Sequence, residues 1–403
     1  MNALSESVNL IENVPRTANI FFNILSNIEF GSLTLETPMG QTYYFKGNQK
    51  GQAAHLKILN WQSIDRILLN GDIGLGESYI NEWWESNDIS KLIQLAIDNS
   101  KSFSRLNNGS LIRLIFFKAK HWLNRNTKKG SRKNIHAHYD LGNNFYSKWL
   151  DKTMTYSSAM FSNKLEPLEQ AQKNKYQYIL ETLNVKPGDH ILEIGCGWGG
   201  FMDYASSLGC QVTGITISEE QYHYAKARLK NRANLINVLL KDYRDVTGRY
   251  DHIVSIEMFE AIGEEYWSTY FAKIKSLLNP RGKVLIQSIH IRNEDFASYK
   301  KGSDFIQQYI FPGGMLPSPR LFNAYAVKAH FKVHGQKEFG LDYARTLNIW
   351  EKKFFEEKKC ILEMGYSERF IRTWTFYLKY CEGGFNSKKI GVSQFLLSHG
   401  NEL

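Results

Sequence analysis

Apolar runs and helical stripes alternate through the second half of the chain. Short apolar runs, typical of buried strands, occur at residues 190–194, 211–215, 236–240, 252–256 and 283–288. Segments with helical spacing lie between them at residues 201–207, 219–232 and 266–278. Strands that alternate with helices predict a parallel, doubly wound α/β sheet. The turn sequence Asn-Pro-Arg-Gly at residues 279–282 is expected to separate the last of these helices from the fifth strand.

Two other segments have patterns of their own. In the first hundred or so residues, short alternating runs broken by Met39-Gly40 and Gly47-Asn48 predict a β-hairpin. An amphipathic helix is expected after it, ending near Trp83 and Trp84. Residues 295–386 are rich in aromatic side chains and mostly helical in pattern, which is typical of a lid over a substrate site. We therefore predict a small mixed domain before the α/β domain.

One stretch of the chain carries positive charge equal to the whole net charge of +10. No acidic residue lies between Asp98 and Asp140, and ten Lys and Arg side chains do. Within it, residues 110–123 have a helical apolar stripe with basic flanks, followed by a polar linker. We therefore predict an N-terminal domain over residues 1–125, a basic linker over 126–134 and a catalytic domain over 135–403.

Several classes of protein are disfavoured by what the sequence lacks. The four cysteines, at positions 196, 210, 360 and 381, have no metal-ligand spacing, and His136 and His138 have no evident third ligand. No apolar run reaches the ~18 residues of a membrane span, and the first residues do not have a signal-peptide pattern. We expect a cytoplasmic protein with no metal site.

The sharpest motif is ILEIGCGWGG at residues 191–200. A strand runs directly into glycines 195, 197, 199 and 200, and a helix follows. Glycine lets the backbone turn tightly and approach a ligand closely, and the N–H groups at the start of a helix suit an anionic group. The spacing also fits the dinucleotide-binding fingerprint, so the motif alone leaves both interpretations open.

Three features favour S-adenosylmethionine over a dinucleotide. Glu193 lies within the strand just before the glycines, as is typical of class I methyltransferases. The acidic ribose ligand expected about 20 residues on is replaced by Thr216-Ile217-Ser218. A polar cluster at residues 242–245 follows the third strand, where methyltransferases contact the adenine.

Eight blocks of the sequence resemble the cyclopropane-fatty-acyl-phospholipid synthase family, which includes the mycolic acid cyclopropane synthases. They are HYDLGNNFY (138–146), MTYSSAMF (154–161), ILEIGCGWGG (191–200), GITISEEQ (214–221), DYRD (242–245), EMFEAIG (257–263), YIFPGGMLPS (309–318) and KYCEGGF (379–385). Their order and spacing agree over about residues 135–390. The resemblance implies a Rossmann-like class I methyltransferase sheet with a helical lid. The basic N-terminal region resembles the extra domain of the phospholipid-acting branch.

The resemblance implies S-adenosylmethionine as cofactor and assigns residues to each of its parts. Tyr156 and Ser157 would close over the methionine moiety. Glu193 belongs to the same cofactor site, and Gly195, Gly197 and Gly199 would line it from below. Thr216, Ile217 and Gln221 would hold the ribose, and Tyr243 and Arg244 would flank the adenine.

The chemistry implied is methyl transfer to an alkene, which leaves a carbocation, followed by removal of a proton from the new methyl to close a cyclopropane. In the family a bound bicarbonate is thought to be the base. Glu260, Tyr343 and Ile289 match residues of that bicarbonate pocket, and Cys381 matches a cysteine often proposed as catalytic. From its Gly-Gly neighbours, we favour a packing role for Cys381.

The sequence departs from the family at three positions of this pocket. Ser158 replaces a cysteine, Gln287 replaces a histidine, and Ala261 replaces the histidine after the site glutamate. Ser158 and Gln287 can hydrogen-bond a bicarbonate, but neither can carry a proton near neutral pH as histidine does. Ring closure remains the first choice, and methylation without ring closure is the alternative.

The partner implied is an unsaturated phospholipid in an anionic membrane, reached by peripheral docking of the basic stretch at the inner face. A core helix beside a solvated basic linker is the alternative for that stretch. No nucleic-acid motif appears, so we predict no nucleic-acid partner. The resemblance suggests a homodimer. A methyltransferase of a non-lipid small molecule and a non-catalytic lipid-binding protein remain open as other functions.

Overall fold

The computed structural model describes residues 14–104 and 141–400. They form two compact units: residues 14–104 together with Ser367–Phe376, and residues 141–366 together with 377–400. The helix predicted over residues 110–123, the basic linker, His136 and His138 lie outside the described residues. The domain boundaries proposed at residues 125 and 134 fall in the same gap and stay predictions.

The first unit is built on a four-stranded sheet in the order β2-β1-β3-β4. Its strands are β1 Phe30–Glu36, β2 Thr42–Lys46, β3 Gln49–Ile58 and β4 Trp84–Glu85. Its helices are α1 Arg16–Leu25, α2 Gln62–Ile80, α3 Ile89–Asp98 and α4 Ser100–Ser104. β1 and β2 pair antiparallel, which confirms the predicted hairpin, and β1 pairs with β3 in parallel.

The helix predicted to end near the two tryptophans ends earlier, at Ile80. Glu82 has a positive φ of 61°, which turns the chain away from the helical path. Trp84 then enters the short strand β4, fully buried, and its indole Nε1 donates to the Leu75 carbonyl at 2.9 Å. The helix was predicted to extend slightly too far, because Trp84 reaches the core from the strand that follows the helix and not from the helix itself.

Residues 367–376 complete the first unit. They belong to the long helix near the C-terminus. The Arg372 guanidinium lies 4.0 Å from the centre of the Tyr79 ring, and its Nε donates to the Tyr79 carbonyl at 2.7 Å. The Phe376 ring packs against Trp84 at 6.3 Å between centroids. A segment distant in sequence therefore contributes to this core.

The second unit contains a seven-stranded sheet in the order β10-β11-β9-β8-β5-β6-β7. Its strands are β5 His190–Ile194, β6 Gln211–Thr216, β7 Ile236–Leu240, β8 Tyr250–Ile256, β9 Leu278–Ile291, β10 Phe331–Glu338 and β11 Ile390–His399. The strands β5 to β9 are mutually parallel, and β11 and β10 are added antiparallel at one side. The doubly wound parallel core is thereby confirmed.

Helices of the second unit leave two buried apolar clusters beside the sheet. The helices are α5 Asn143–Trp149, α6 Leu168–Leu183, α7 Gly200–Ser207, α8 Glu219–Arg228, α9 Trp267–Leu277, α10 Phe296–Tyr299, α11 Phe305–Tyr309, α12 Pro319–Lys328, α13 Gly340–Glu356, α14 Lys358–Glu363 and the part of α15 Glu368–Asn386 that follows Phe376. Most of residues 295–386 is helical, as predicted, with β10 as the exception. Because strands β5 to β9 are parallel, their carboxyl ends lie at the same edge of the sheet.

The turn predicted at residues 279–282 is part of β9. Leu278 pairs with Tyr250, and a register shift between Tyr250 and His252 admits the extra residues before the regular pairing begins at Lys283. The Asn279 side chain donates to Asp251 at 2.7 Å. The preceding helix does end there, at Leu277, but the chain passes into the strand through a bulge instead of a separate turn.

Candidate active site

The glycine loop follows β5 at the carboxyl edge of the sheet. Gly195, Gly197 and Gly199 have φ values of 83°, 53° and 82°, which side-chain-bearing residues rarely adopt. A Cβ built on Gly197 meets no atom within 4 Å, so the backbone there faces open space. α7 begins at Gly200, directly after Gly199, and the N–H groups of its first turn are directed toward the loop. The loop is a cradle that a side chain would fill.

A second group of polar side chains ends the neighbouring strand β6. Thr216 Oγ1 donates to Gln221 Oε1 at 2.9 Å and accepts from the Ser218 N–H at 3.1 Å. Ser218 caps α8 by accepting from the Gln221 N–H. Thr216 and Gln221 are buried and Ile217 is half-buried. The three residues predicted to hold a ribose therefore lie together, one strand away from the glycine loop.

The polar cluster after β7 is held by an ion pair. Arg244 donates from two nitrogens to the two carboxylate oxygens of Asp242, at 2.8 and 2.7 Å. That hydrogen bonding raises the pKa of the Arg244 guanidinium. The guanidinium also lies 5.4 Å from the centre of the Tyr243 ring, which is buried against Tyr270. Tyr243 thus packs in the core, and its role beside an adenine stays a prediction.

An aromatic wall surrounds Tyr156. Its ring lies 5.4 Å from Tyr146, 5.5 Å from Trp149 and 5.4 Å from Trp350, measured between ring centroids. The Tyr156 hydroxyl is hydrogen-bonded to that of Tyr377 at 2.7 Å. The wall presents ring faces and hydroxyls, which suit both an apolar chain and a positive charge.

Not all the aromatic residues of the resembling blocks join this wall. Phe161 is covered by the Arg345 guanidinium, 3.7 Å from its ring centre. Tyr309 packs on Phe305 at 5.0 Å and is 41 % exposed. Phe311 does reach Tyr377, at 6.2 Å between centroids. Phe161 and Tyr309 therefore pack elsewhere, whereas Phe311 lies next to the Tyr156–Tyr377 pair.

A fully buried lysine connects the serine loop to the carboxylates. Lys175 Nζ donates to Ser157 Oγ at 2.6 Å and to the Ser158 carbonyl at 2.9 Å. Burial lowers the pKa of Lys175 to about 8, against the attraction of Glu257, Asp151 and Glu193. Burial also raises the pKa of Glu193 well above its usual value. One Glu193 carboxylate oxygen is buried without a partner among the described residues.

Three predicted residues converge on a glutamate that the sequence analysis did not single out. Glu257 Oε1 accepts from the Ser158 N–H at 2.9 Å and from Gln287 Nε2 at 2.7 Å. Glu257 Oε2 accepts from the Tyr343 hydroxyl at 2.6 Å. Burial raises the pKa of Glu257, while Lys175 and these three donors oppose the shift. We call Glu257 with its three donors the carboxylate pocket.

Glu260 lies beside the carboxylate pocket, on the short turn after β8. It accepts a hydrogen bond from the Ile289 backbone N–H. Burial, and next the charge of Glu257, raise the pKa of Glu260 to about 8, so its carboxyl is mostly neutral at pH 7. Cys381 is close enough to Tyr343 and Tyr377 to influence their pKa values. Burial raises the pKa of the Cys381 thiol, which keeps it protonated at neutral pH.

The structure brings together most of the predicted site residues and adds two. Glu257 and Lys175 were missed. The signal for Glu257 was its position directly after an apolar strand, first in the EMFEAIG block. The signal for Lys175 was a lysine on the apolar face of α6, among Ala171, Tyr176 and Ile179.

The residues present fit S-adenosylmethionine. The open cradle at Gly197 admits a ligand against the backbone. The unpartnered oxygen of Glu193 suits a cationic group. The polar cluster at Thr216 and Gln221 suits a ribose. The same unit also holds the aromatic wall and the buried Glu257 carboxylate, groups that can stabilise a developing cation and accept a proton.

Comparison with known proteins agrees with this chemistry. The family model described as mycolic acid cyclopropane synthetase matches residues 126–395. A cyclopropane-fatty-acyl-phospholipid synthase of Escherichia coli is 36 % identical over 359 residues, covering 87 % of this chain and 89 % of the relative. The tuberculostearic acid methyltransferase UfaA1 of Mycobacterium tuberculosis is 34 % identical over 353 residues, covering 82 % and 80 %.

Solved structures give the same result for the α/β unit. The mycolic acid cyclopropane synthase CmaA1, in complex with SAH and CTAB, is 32 % identical with a TM-score of 0.62, covering 66 % of this chain and 97 % of that one. The cyclopropane synthase MmaA2 of Mycobacterium tuberculosis is 30 % identical with the same TM-score and coverage. Among residues 14–104 and 141–400, no helix is both long and apolar enough to cross a membrane.

Proposed function

The chain belongs to the mycolic acid cyclopropane synthetase family, and from that premise we propose its reaction. As an S-adenosylmethionine-dependent methyltransferase, it transfers the methyl carbon to the cis double bond of an unsaturated phospholipid acyl chain and closes a cyclopropane ring. The observation that carries this proposal is the joint presence of the glycine cradle, the aromatic wall and the buried carboxylates in one unit. The similarity over most of the chain to a cyclopropane-fatty-acyl-phospholipid synthase supports a lipid substrate over a non-lipid one.

Bound S-adenosylmethionine supplies a methyl group on a positively charged sulfur. Gly195, Gly197 and Gly199 are proposed to hold it against the backbone, and Thr216 and Gln221 to hold its ribose. The rings of Tyr156, Trp149 and Trp350 would exclude water and could stabilise a positive charge, each by roughly 0.5–2 kcal/mol in a desolvated site. In our proposal, Lys175 fixes the Ser157–Ser158 loop between the two sides of the site.

Methylation without ring closure is the second candidate. It is favoured by the similarity to a relative named as a tuberculostearic acid methyltransferase. It is also favoured by the residues at positions 261 and 287, where Ala and Gln cannot relay a proton. The two outcomes share every step up to the carbocation, so product analysis distinguishes them.

We further propose that the protein docks peripherally at the inner face of an anionic membrane through the basic stretch of residues 101–133. Each Lys or Arg near such a surface contributes about 1 kcal/mol. Pelleting with anionic and neutral vesicles tests this. Charge reversal of Lys128, Lys129, Arg132 and Lys133 is expected to release the protein, and unchanged binding would contradict the proposal. The homodimer implied by the resemblance is testable by sedimentation.

The central experiment is methyl transfer from S-adenosylmethionine labelled in its methyl group to vesicles of unsaturated phospholipid. Label is expected in the acyl chain, and mass spectrometry of the fatty acids distinguishes a ring from a branch. Vesicles with fully saturated chains are the matched control, because they lack the alkene and should gain no label. Absence of transfer to the unsaturated lipid would overturn the proposed function.

A further inference from the structure

The carboxylate pocket already satisfies the donors that the family resemblance assigns to a bound bicarbonate. Ser158, Gln287 and Tyr343 all donate to Glu257, within 2.6–2.9 Å. Glu260 accepts the Ile289 N–H itself. To reach these donors, an external anion would have to displace the Glu257 carboxylate and then bind close to its negative charge. The pocket is therefore built around an anion that belongs to the chain.

The position of Glu257 is fixed by its backbone as well as by its side chain. Its φ is 52°, in the left-handed region that glutamate rarely adopts. Such strain costs on the order of 1–3 kcal/mol and persists only where the surroundings impose it. Here the Glu257 N–H donates to the Gln287 carbonyl at 2.8 Å. Gln287 and Glu257 are thus paired through both main chain and side chain.

The orientation of the Gln287 amide is set by a third residue. Gln394 Nε2 on β11 donates to Gln287 Oε1 at 2.9 Å. That contact leaves Gln287 Nε2 directed at the Glu257 carboxylate. Because both ends of the amide are engaged, the donor cannot turn over without losing a buried hydrogen bond. A fixed donor directed at Glu257 favours the ionised form of its carboxyl group.

The charges around Glu257 leave it as the anionic member of a carboxyl pair. Lys175 is the buried cation that faces it, and the Ser158 N–H is a donor held in place by the same lysine. Neighbouring Glu260 accepts the Ile289 N–H, and its own N–H and the Ser288 side chain are further donors, but no cation among the described residues lowers its pKa as Lys175 lowers that of Glu257. Two carboxyls this close do not both ionise readily, and the one that faces the lysine keeps the charge.

Resting on the proposed function, we propose that the Glu257 carboxylate is the base that removes the proton from the transferred methyl, in place of bicarbonate. The alkene π electrons form a bond to the methyl carbon while the carbon–sulfur bond breaks, its electron pair staying on sulfur. The neighbouring carbon becomes the carbocation. A methyl C–H bond then breaks: its electrons form the second ring bond, and the proton goes to Glu257, which becomes neutral.

The three hydrogen bonds also explain why such a carboxylate does not trap the carbocation as an ester. A carboxylate has about four lone-pair sites, and three are engaged here. The remaining site can accept a proton, while the hydrogen bonds lower the nucleophilicity of both oxygens. A small free anion in an open pocket would not be restrained in this way.

The test uses the full chain, unsaturated phospholipid vesicles and S-adenosylmethionine with a trideuterated methyl group. Wild-type protein is expected to keep its rate within about twofold when bicarbonate and carbon dioxide are removed. Glu257→Gln should lower the rate by at least about 100-fold, the usual range for loss of a general base. Glu294→Gln, at a glutamate whose side chain is 70 % exposed and pairs with Arg292, is the control and should keep the wild-type rate.

Deuterium retention separates a base from a structural residue. Ring closure removes one deuteron from the methyl, whereas loss of a neighbouring lipid proton keeps all three. The residual product of Glu257→Gln is expected to shift toward full retention. Glu257→Gly relieves the backbone strain and opens the pocket, so added bicarbonate or formate should restore much of its rate.

Several results would overturn the inference. One is a wild-type rate that collapses without bicarbonate and returns with it. Another is Glu257→Gln with the wild-type rate and deuterium pattern. A third is Glu257→Gly that folds but is not rescued by any small anion. If wild-type protein transfers no label to lipid under any condition, the proposed function itself fails, and that result is distinct from the other three.

Discussion

The glycine cradle and the carboxylate pocket lie at the same edge of one sheet and are built in different ways. The cradle is a local structure, formed by six consecutive residues, 195–200, in which three glycines have positive φ and a helix begins. The carboxylate pocket is assembled from residues 158, 257, 287 and 343, which are far apart in sequence and meet only in the folded chain. A local motif can be read from sequence, whereas an assembled pocket depends on tertiary contacts.

Replacement of Lys175 should have the largest effect, because this lysine holds Ser157, which we propose to contact the cofactor, and Ser158, which donates to Glu257. Lys175→Met keeps the volume but removes a buried cation and two hydrogen bonds. Breaking such a buried charged group costs on the order of 3–5 kcal/mol. We expect a clear fall in the free energy of unfolding by urea, with loss of both cofactor affinity and rate. If Lys175→Met lost only cofactor affinity or only rate, the two regions would not depend on each other through Lys175.

A change in the cradle should affect binding alone. Gly197→Ala adds a methyl group where we propose that S-adenosylmethionine lies, and it strains a backbone of positive φ. We expect the dissociation constant for S-adenosylmethionine, measured by calorimetry, to rise about 10- to 100-fold, as for an overpacked site. Gly302→Ala, also in open space but without a positive φ, is the control. Equal affinities would mean that the ligand does not approach Gly197.

A change in the carboxylate pocket should affect catalysis alone. Tyr343→Phe removes one donor from Glu257 and leaves the ring stacked on Phe385. A hydrogen bond to a charged group is worth about 1.5–3 kcal/mol, so kcat should fall roughly tenfold or more. The affinity for S-adenosylmethionine should not change. A large rise in that dissociation constant would show that the pocket also supports the cradle.

The smallest effect concerns stability and pH. The pKa of Glu260 is raised to about 8 in the folded chain from an ordinary 4.5. Between these values the folded state holds a proton that the unfolded state has lost, so this group lowers stability as pH rises toward 8. Glu260→Gln should lessen the fall in Tm between pH 5 and 8 relative to wild type. Parallel curves for the two proteins would contradict the assignment.

The sequence predicted the cradle and the parallel strands because both depend on short-range pattern. Strand β5, the glycines and α7 follow one another without interruption, and each was predicted close to its observed bounds. Strands β10 and β11 were not predicted, because their pairing at the side of β9 depends on contacts distant in sequence. The same reason explains why residues 279–282 were taken as a turn when a bulge admits them into β9.

In the site, the sequence predicted which donor residues would meet, but it did not predict that they would surround Glu257. Ser158, Gln287 and Tyr343 were all identified, on the expectation that they bind an external anion. The residue they bind, Glu257, could not be recognised from its surroundings in the chain, because its importance lies in three partners contributed by other segments. Lys175 was hidden for a related reason: a lysine on a helix is ordinarily solvated.

The left-handed backbone at Glu257 has a consequence for how such a site diversifies. Glycine is the residue that this φ of 52° tolerates without strain, and the codons for glutamate and glycine differ by a single base. One point mutation therefore separates a chain that carries its own base from one that must borrow an anion from its surroundings.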